Sequence, residues 1–223
     1  METTDNRNRT DVEALMSRLA RRGTTTERFR LPMEQEQAKR VLLCAVKAEV
    51  EYRCRRFEMN SHVEQQAATI AGWLTDGGSA FGLLLCGGCG NGKSTFVKAF
   101  QQILNQMQLR DEYGRGYRGI RIMDARGIAR MCKGDWREWE HICDLPMLAV
   151  DDLGIEPLEI QDYGNVLSPM VELLMRRYDR QLFTMVTTNL TPQEIRAKYG
   201  DRIADRLNEM MVKIVFPNPT YRK

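Results

Sequence analysis

Gly87, Gly88, Cys89, Gly90, Asn91, Gly92, Lys93, Ser94 and Thr95 set four glycines, an amide, a lysine and two hydroxyls directly behind the apolar run 83–86. Residues 87–94 fit G-x-x-x-x-G-K-[ST], in which glycines let the main chain turn its N–H groups inward around phosphate oxygens. In such a loop Lys93 reaches the β- and γ-phosphates of a nucleoside triphosphate, and the Ser94 hydroxyl holds Mg²⁺. Cys86 and Cys89 also spell C-x-x-C, the spacing of redox and zinc sites. A zinc site needs two more ligands. The chain has only His62 and His141 and no second C-x-x-C, so Cys86 reads as a small apolar strand residue and Cys89 as a variable loop position.

Two more constellations suit the same chemistry. Met147-Leu148-Ala149-Val150 leads into Asp151 and Asp152, 58 positions beyond Lys93 counted to Asp151. Carboxylates at the C-terminal end of a buried strand stand where ligands of open α/β sheets bind. Asp151 is placed to hold Mg²⁺ and Asp152 to polarise an attacking water; a solvated strand end is the alternative. A further apolar run, 182–186, ends in Thr187-Thr188-Asn189. A neutral amide there orients water or feels the γ-phosphate, unless Asn189 is simply a turn residue.

Parallel strands and helices must bring these groups together. Buried parallel strands read as short apolar runs bounded by turn or charge signals. Such runs occur at 81–86, 120–123, 147–150, 183–187 and 212–216, with helical patterns between them. The fold expected is α/β: a parallel sheet of about five strands flanked by helices. Phe96, Phe100, Ile103, Leu104 and Met107 give the helix after the first strand a sheet-facing side. Upstream, Thr10 with Glu13 reads as a capping box opening a short helix striped with Val12, Leu15, Met16 and Leu19. Residues 33–59 form a longer helical pattern, and Ser61 with Glu64 is a second capping box, for a helix ending near Asp76. Residues 1–60 are thus expected as a helical N-terminal region and 61–223 as the core. The N-terminal region is either a partner-binding module or a cap packed on the core.

The chain of 223 residues is 43% apolar and 28% charged, an ordinary globular composition. Its first thirty residues hold no apolar run, so a secretory leader, a membrane span and membrane partners are not expected, and a cytoplasmic location is. The six cysteines have no framework spacing, and free thiols are expected. A net charge of +3 does not announce nucleic acid, although arginines outnumber lysines 25 to 8. The segment 110–121 interleaves Arg110, Arg115, Arg118 and Arg121 with Tyr113 and Tyr117, a composition suited to single-stranded DNA; Asp111 and Glu112 dilute it.

The phosphate loop, LAVDDLG at 148–154, RRYDRQLFTMVTTNLTPQEI at 176–195 and YGDRIADRL at 199–207 together resemble the DnaC/IstB branch of the AAA+ ATPases, which are bacterial helicase loaders and ATP-binding helpers of certain transposition systems. The resemblance covers residues 61–223. It implies ATP and Mg²⁺ as ligands, a Walker A at 87–94, a Walker B at Asp151 and Asp152, a sensor at Asn189, and an arginine finger on the 199–207 helix. Arg206 is the first choice for that finger and Arg202 the second, with salt bridging along the helix as the alternative for either. It also implies assembly with itself or a partner ATPase, and a replicative helicase or a transposase as partner. Two departures stand out. Many AAA+ proteins carry Glu where this chain has Asp152, which implies slow hydrolysis. Only 34 residues follow Asn189, so no C-terminal helical lid is expected; among them Arg222 matches a terminal Tyr-Arg pattern. A small-molecule kinase also begins with a phosphate loop, but it needs an acceptor pocket and an arginine-bearing lid that the sequence does not offer.

Overall fold

The structure is a computed structural model, and it describes residues 11–20, 28–76, 78–111, 114, 116–162 and 164–221. Thr10, Tyr113, Arg115 and Arg222 lie outside the described residues.

Three helices come first: α1 (Val12–Ala20), α2 (Gln35–Tyr52) and α3 (Ser61–Asp76). The core then alternates β1 (Gly82–Gly87), α4 (Lys93–Met107), β2 (Arg121–Asp124), α5 (Ala125–Gly134), α6 (Trp136–Cys143) and β3 (Met147–Leu153). A small hairpin, β4 (Ile160–Asp162) and β5 (Asn165–Leu167), precedes α7 (Pro169–Asp179), β6 (Phe183–Thr188), α8 (Pro192–Tyr199), α9 (Asp201–Met210) and β7 (Met211–Phe216). The five expected strands form one parallel sheet in the order β2-β3-β6-β1-β7.

The apolar runs form strands because both sheet faces are covered. On β1, Leu83 and Leu85 join a core with α2, α3 and α4, while Leu84 and Cys86 join a second core with α5, α7 and α9. The connection after β1 therefore crosses one face, and those after β2, β3 and β6 cross the other. That divergence opens a crevice at the carboxyl end of β1, where open α/β sheets bind ligands.

Several boundaries differ from expectation. The long helical pattern at 33–59 stops at Tyr52, where Cys54 takes φ 56° and turns the chain. At the start of α3 the capping residue is Asn60, whose side chain accepts from Val63 N at 3.1 Å. Glu64, expected in a capping box with Ser61, instead pairs with Lys39 at 3.0 Å. At the start of α8, by contrast, Thr191 and Glu194 do form a capping box. The hairpin β4–β5 was not expected, since strands of three residues carry no periodicity to read.

Leu31, Ala38, Leu42 and Val46 share a core with Phe96 and Phe100 of α4. From residue 28 onward the described part of the 1–60 region therefore packs on the core. α1 is different: it buries none of its residues, and Val12, Met16 and Leu19 are each more than 60% exposed. Among the described residues no helix is long and apolar enough to cross a membrane. The six cysteines are free.

Candidate functional site: a phosphate loop with two carboxylates and an amide

β1 enters the loop through Gly87, at φ 152°; a Cβ there would stand 2.4 Å from Phe216 O. Only glycine permits that approach of two backbones. The loop is braced from below by Asn91, which is 1% exposed. Its Nδ2 donates to Phe216 O at 2.8 Å, and its own carbonyl accepts from Asn218 Nδ2 at 3.0 Å. Asn218 in turn accepts from Gln66 of α3 at 2.9 Å, and Tyr221 N donates to Gly90 O at 2.9 Å. The chain after β7 thus wraps the loop. Gly88 and Cys89 are exposed at its crest, and Gly92, at φ 103°, turns it into α4. Thr95 lies half-buried in the first turn. The loop thus runs straight into the N-terminus of α4, and a helix N-terminus favours anions.

Lys93 is 4% exposed, and its ammonium is fully engaged. It donates to Gly87 O at 2.8 Å, Gly88 O at 2.7 Å, Asn91 Oδ1 at 3.1 Å and Asn189 Oδ1 at 2.8 Å. Burial pulls its pKa below the ordinary lysine range, and the charges of Asp152 and other neighbours oppose that pull. Ser94 Oγ donates to Asp151 Oδ1 at 2.7 Å. Two hard oxygen ligands side by side match the donor set magnesium prefers. The residues present therefore fit that ion.

Asp151 and Asp152 differ in backbone. Asp151 continues β3, whereas Asp152 sits at φ 58°, and the register with β6 shifts between Val150 and Leu153. A left-handed non-glycine residue in a bulge costs on the order of 1–3 kcal/mol and clusters at functional sites. Thr187, fully buried, fixes both: its hydroxyl donates to Asp151 Oδ1 at 2.6 Å and accepts from Asp152 N at 2.8 Å. No motif singled out Thr187. The available signal was its place at the end of a buried strand beside the one that carries the aspartates. The expected sensor, Asn189, lies one residue past β6 and meets Lys93, so loop, aspartates and amide converge.

The two arginines proposed for a finger have unlike surroundings. Arg206 is held on its own subunit: its guanidinium lies 4.1 Å from the Tyr178 ring centroid and 3.4 Å from Asp179. Arg202 is exposed in the first turn of α9 and has no ion pair or hydrogen bond among the described residues. Asp201 and Asp205, the aspartates of the same helix, pair instead with Arg196 of α8. In the segment 110–121, Arg110 lies 4.8 Å over the Tyr117 ring and Arg118 lies 5.7 Å from Phe29. Arg121 pairs with Glu138 at 3.4 Å.

No protein-family model matches the sequence, and no curated protein matches it. Solved structures do. The chain superposes on the crystal structure of the DnaC helicase loader with a TM-score of 0.56 at 20% identity, covering 80% of this chain and 99% of that one. The crystal structure of DnaI matches with a TM-score of 0.55 at 18% identity, covering 83% and 95%. AMPPCP-bound DnaA from Aquifex aeolicus matches with a TM-score of 0.51 at 16% identity; 71% of this chain is covered, but only 48% of that one. The chain thus has the α/β P-loop fold of AAA+ type seen in DnaC and DnaI, with its glycine-rich loop, paired aspartates and asparagine at the carboxyl ends of adjoining strands.

Proposed function

We propose that the protein binds ATP with magnesium and hydrolyses it, and that the cycle loads or remodels a replicative helicase on DNA. The observation that carries the ATPase reading is convergence: Ser94 lies 2.7 Å from Asp151, and Lys93 lies 2.8 Å from Asn189, although these groups come from three separate stretches of chain. Loop N–H groups and the Lys93 ammonium receive the phosphates, Lys93 exchanging its carbonyl partners for phosphate oxygens. That ammonium is already withdrawn from water, which strengthens its attraction for the phosphates. Ser94 and Asp151 are the residues that would hold Mg²⁺, which would supply charge neutralisation to the phosphates. Asp152 polarises the attacking water and Asn189 orients it. Arg202 is the arginine available to a neighbouring copy's γ-phosphate, while Arg206 braces α9 on α7.

The loader reading is supported by the likeness to DnaC, described as a helicase loader, and by α1. An amphipathic helix that buries nothing on its own subunit suits docking in a partner's groove. The transposition alternative has no counterpart among the structural matches reported above. Single-stranded DNA fits best on α5 and α6. Arg126, Arg130 and Lys133 are exposed at helical spacing, and Arg137 is exposed beside them. Trp136, 45% exposed, stacks on buried Trp139 with centroids 4.6 Å apart. Exposed cations beside a braced aromatic plate are the elements of a single-strand platform. Of the cations of 110–121, Arg110, Arg118 and Arg121 are engaged with their own chain.

Titration calorimetry with Mg·ATP tests the reading. Wild-type protein should release heat and Lys93→Ala should not, whereas Asp152→Asn should bind without turnover. Equal binding by wild type and Lys93→Ala would refute it. Capture with ATP present should recover a hexameric helicase; recovery of a transposase instead would overturn the loader half alone.

A further inference from the structure

Outside the phosphate loop the molecule buries one more carboxylate at the site's edge. Glu156 is 2% exposed, two residues past Gly154 in the turn that follows β3. Its Oε2 accepts from Gly154 N at 2.9 Å, and its Oε1 accepts the Tyr199 hydroxyl proton. Lys198 completes the knot: its ammonium donates to Gly154 O at 2.5 Å and Glu156 O at 2.7 Å, and stands 3.7 Å from Glu156 Oε1. Burial first, and the bond to Glu156 second, raise the Tyr199 pKa, so the phenol remains a donor.

The knot surrounds a short, contorted piece of chain. Asp152 is left-handed at φ 58° and Gly154 stands at φ 112°, where a Cβ would meet Leu190 Cδ1 at 2.6 Å. Upstream, Thr187 holds Asp152 N, and Thr188 Oγ1 donates to Leu153 O at 2.7 Å. Glu156 and α8 hold the downstream end. A backbone in a sparsely populated region persists only where its surroundings over-determine it. A carboxylate withdrawn from water needs its charge satisfied, and here hydroxyl, amide and ammonium do so.

We propose that Glu156 is a positioning residue for hydrolysis, an inference that rests on the ATPase reading above. Its carboxylate clamps the turn after β3 to α8 and thereby holds Asp152 in the left-handed conformation from which its side chain faces the attacking water. Asp is one methylene shorter than Glu, so backbone geometry supplies the placement that reach cannot. Glu156 itself touches no reacting atom. The same knot ends at Tyr199, one residue before Gly200 and two before the start of α9, so Asp152 is mechanically joined to the helix that bears Arg202.

The test uses the full chain and three variants, Glu156→Ala, Glu156→Gln and Tyr199→Phe. Affinity for a non-hydrolysable ATP analogue, single-turnover hydrolysis and amide hydrogen exchange at Gly154 are measured on each. For Glu156→Ala, affinity should hold while hydrolysis falls about 10- to 100-fold, the scale expected when a reacting group is misplaced by about an ångström. Gly154 exchange should accelerate. Glu156→Gln keeps one carbonyl acceptor for Gly154 N and offers an amide donor to which the Tyr199 hydroxyl oxygen can turn as acceptor, and should restore most of the rate. If Glu156→Ala does not fold, Tyr199→Phe must show the same split of rate from affinity. Wild-type rates in Glu156→Ala or Tyr199→Phe, equal losses of rate and affinity, or a glutamine variant as slow as the alanine one would overturn the inference. Wild-type protein that neither binds nor hydrolyses ATP would overturn the ATPase reading and this inference with it. Intact wild-type turnover beside unimpaired variants would overturn this inference alone.

Discussion

Replacing Thr187 with valine removes one hydroxyl from a position with no solvent exposure. Shape is nearly kept, so the effect reports polar satisfaction. Two bonds disappear: the 2.6 Å donation to Asp151 and the 2.8 Å acceptance from Asp152 N. A hydrogen bond to a charged group contributes about 1.5–3 kcal/mol, and an orphaned buried N–H costs about 1–3 kcal/mol. An added methyl returns about 0.8 kcal/mol. The net expectation is a loss of about 2–5 kcal/mol. For a chain of this size each kilocalorie lowers the melting temperature by about 2–4 °C, giving a fall of about 4–20 °C. Urea unfolding followed by circular dichroism should show a lower midpoint at unchanged slope. Thr187→Ser is the control, since it keeps the hydroxyl and loses only the methyl. A valine variant melting within 2 °C of wild type, or a serine variant as unstable as the valine one, would refute the hydroxyl's bridging role.

Arg177, fully buried, donates to Thr184 Oγ1 at 2.8 Å, Cys143 O at 3.0 Å, Leu145 O at 2.9 Å and Phe183 O at 2.7 Å. Arg177→Met should cost at least about 3 kcal/mol in urea unfolding, and Arg177→Lys should not rescue it because lysine lacks the planar fork. Iodoacetamide at pH 8, read by mass spectrometry, should label exposed Cys44, Cys54 and Cys89 and spare Cys132 and Cys143, whose thiols burial pushes up to about 11 and about 12. Bound ATP should protect Cys89, which sits on the loop's crest. Mixing Lys93→Ala, which retains Arg202, with Arg202→Ala, which retains the phosphate loop, should recover turnover that neither variant has alone. Recovery by the same mixture made with Arg206→Ala would transfer the role to Arg206.

The phosphate loop was legible because its determinants are contiguous, and the five strands because parallel strands buried on both faces become apolar runs. What resisted reading depends on distant partners. Thr187 matters through Asp151, 36 positions away, and Asn91 through Phe216 and Asn218, more than 120 positions away. Arg202 and Arg206 are equivalent one helical turn apart; only the presence of Tyr178 and Asp179 separates them. Asn60 and Ser61 are both good helix caps, and sequence offers no reason to prefer the first. The end of α2 escaped notice because Cys54 turns the chain without a glycine or proline to mark it.

The strand that feeds the phosphate loop lies between β6 and β7, and Asn91 is braced by Phe216 and Asn218. A ribosome releases β1 long before either neighbour. Throughout that interval both hydrogen-bonding edges of β1 stay unsatisfied, and long-range parallel pairing is slow to close. Nascent chains therefore lack a finished nucleotide cradle until β7 has cleared the exit tunnel. Stalled chains that end before residue 211 should fail to retain ATP, and such chains holding ATP tightly would contradict that order of assembly.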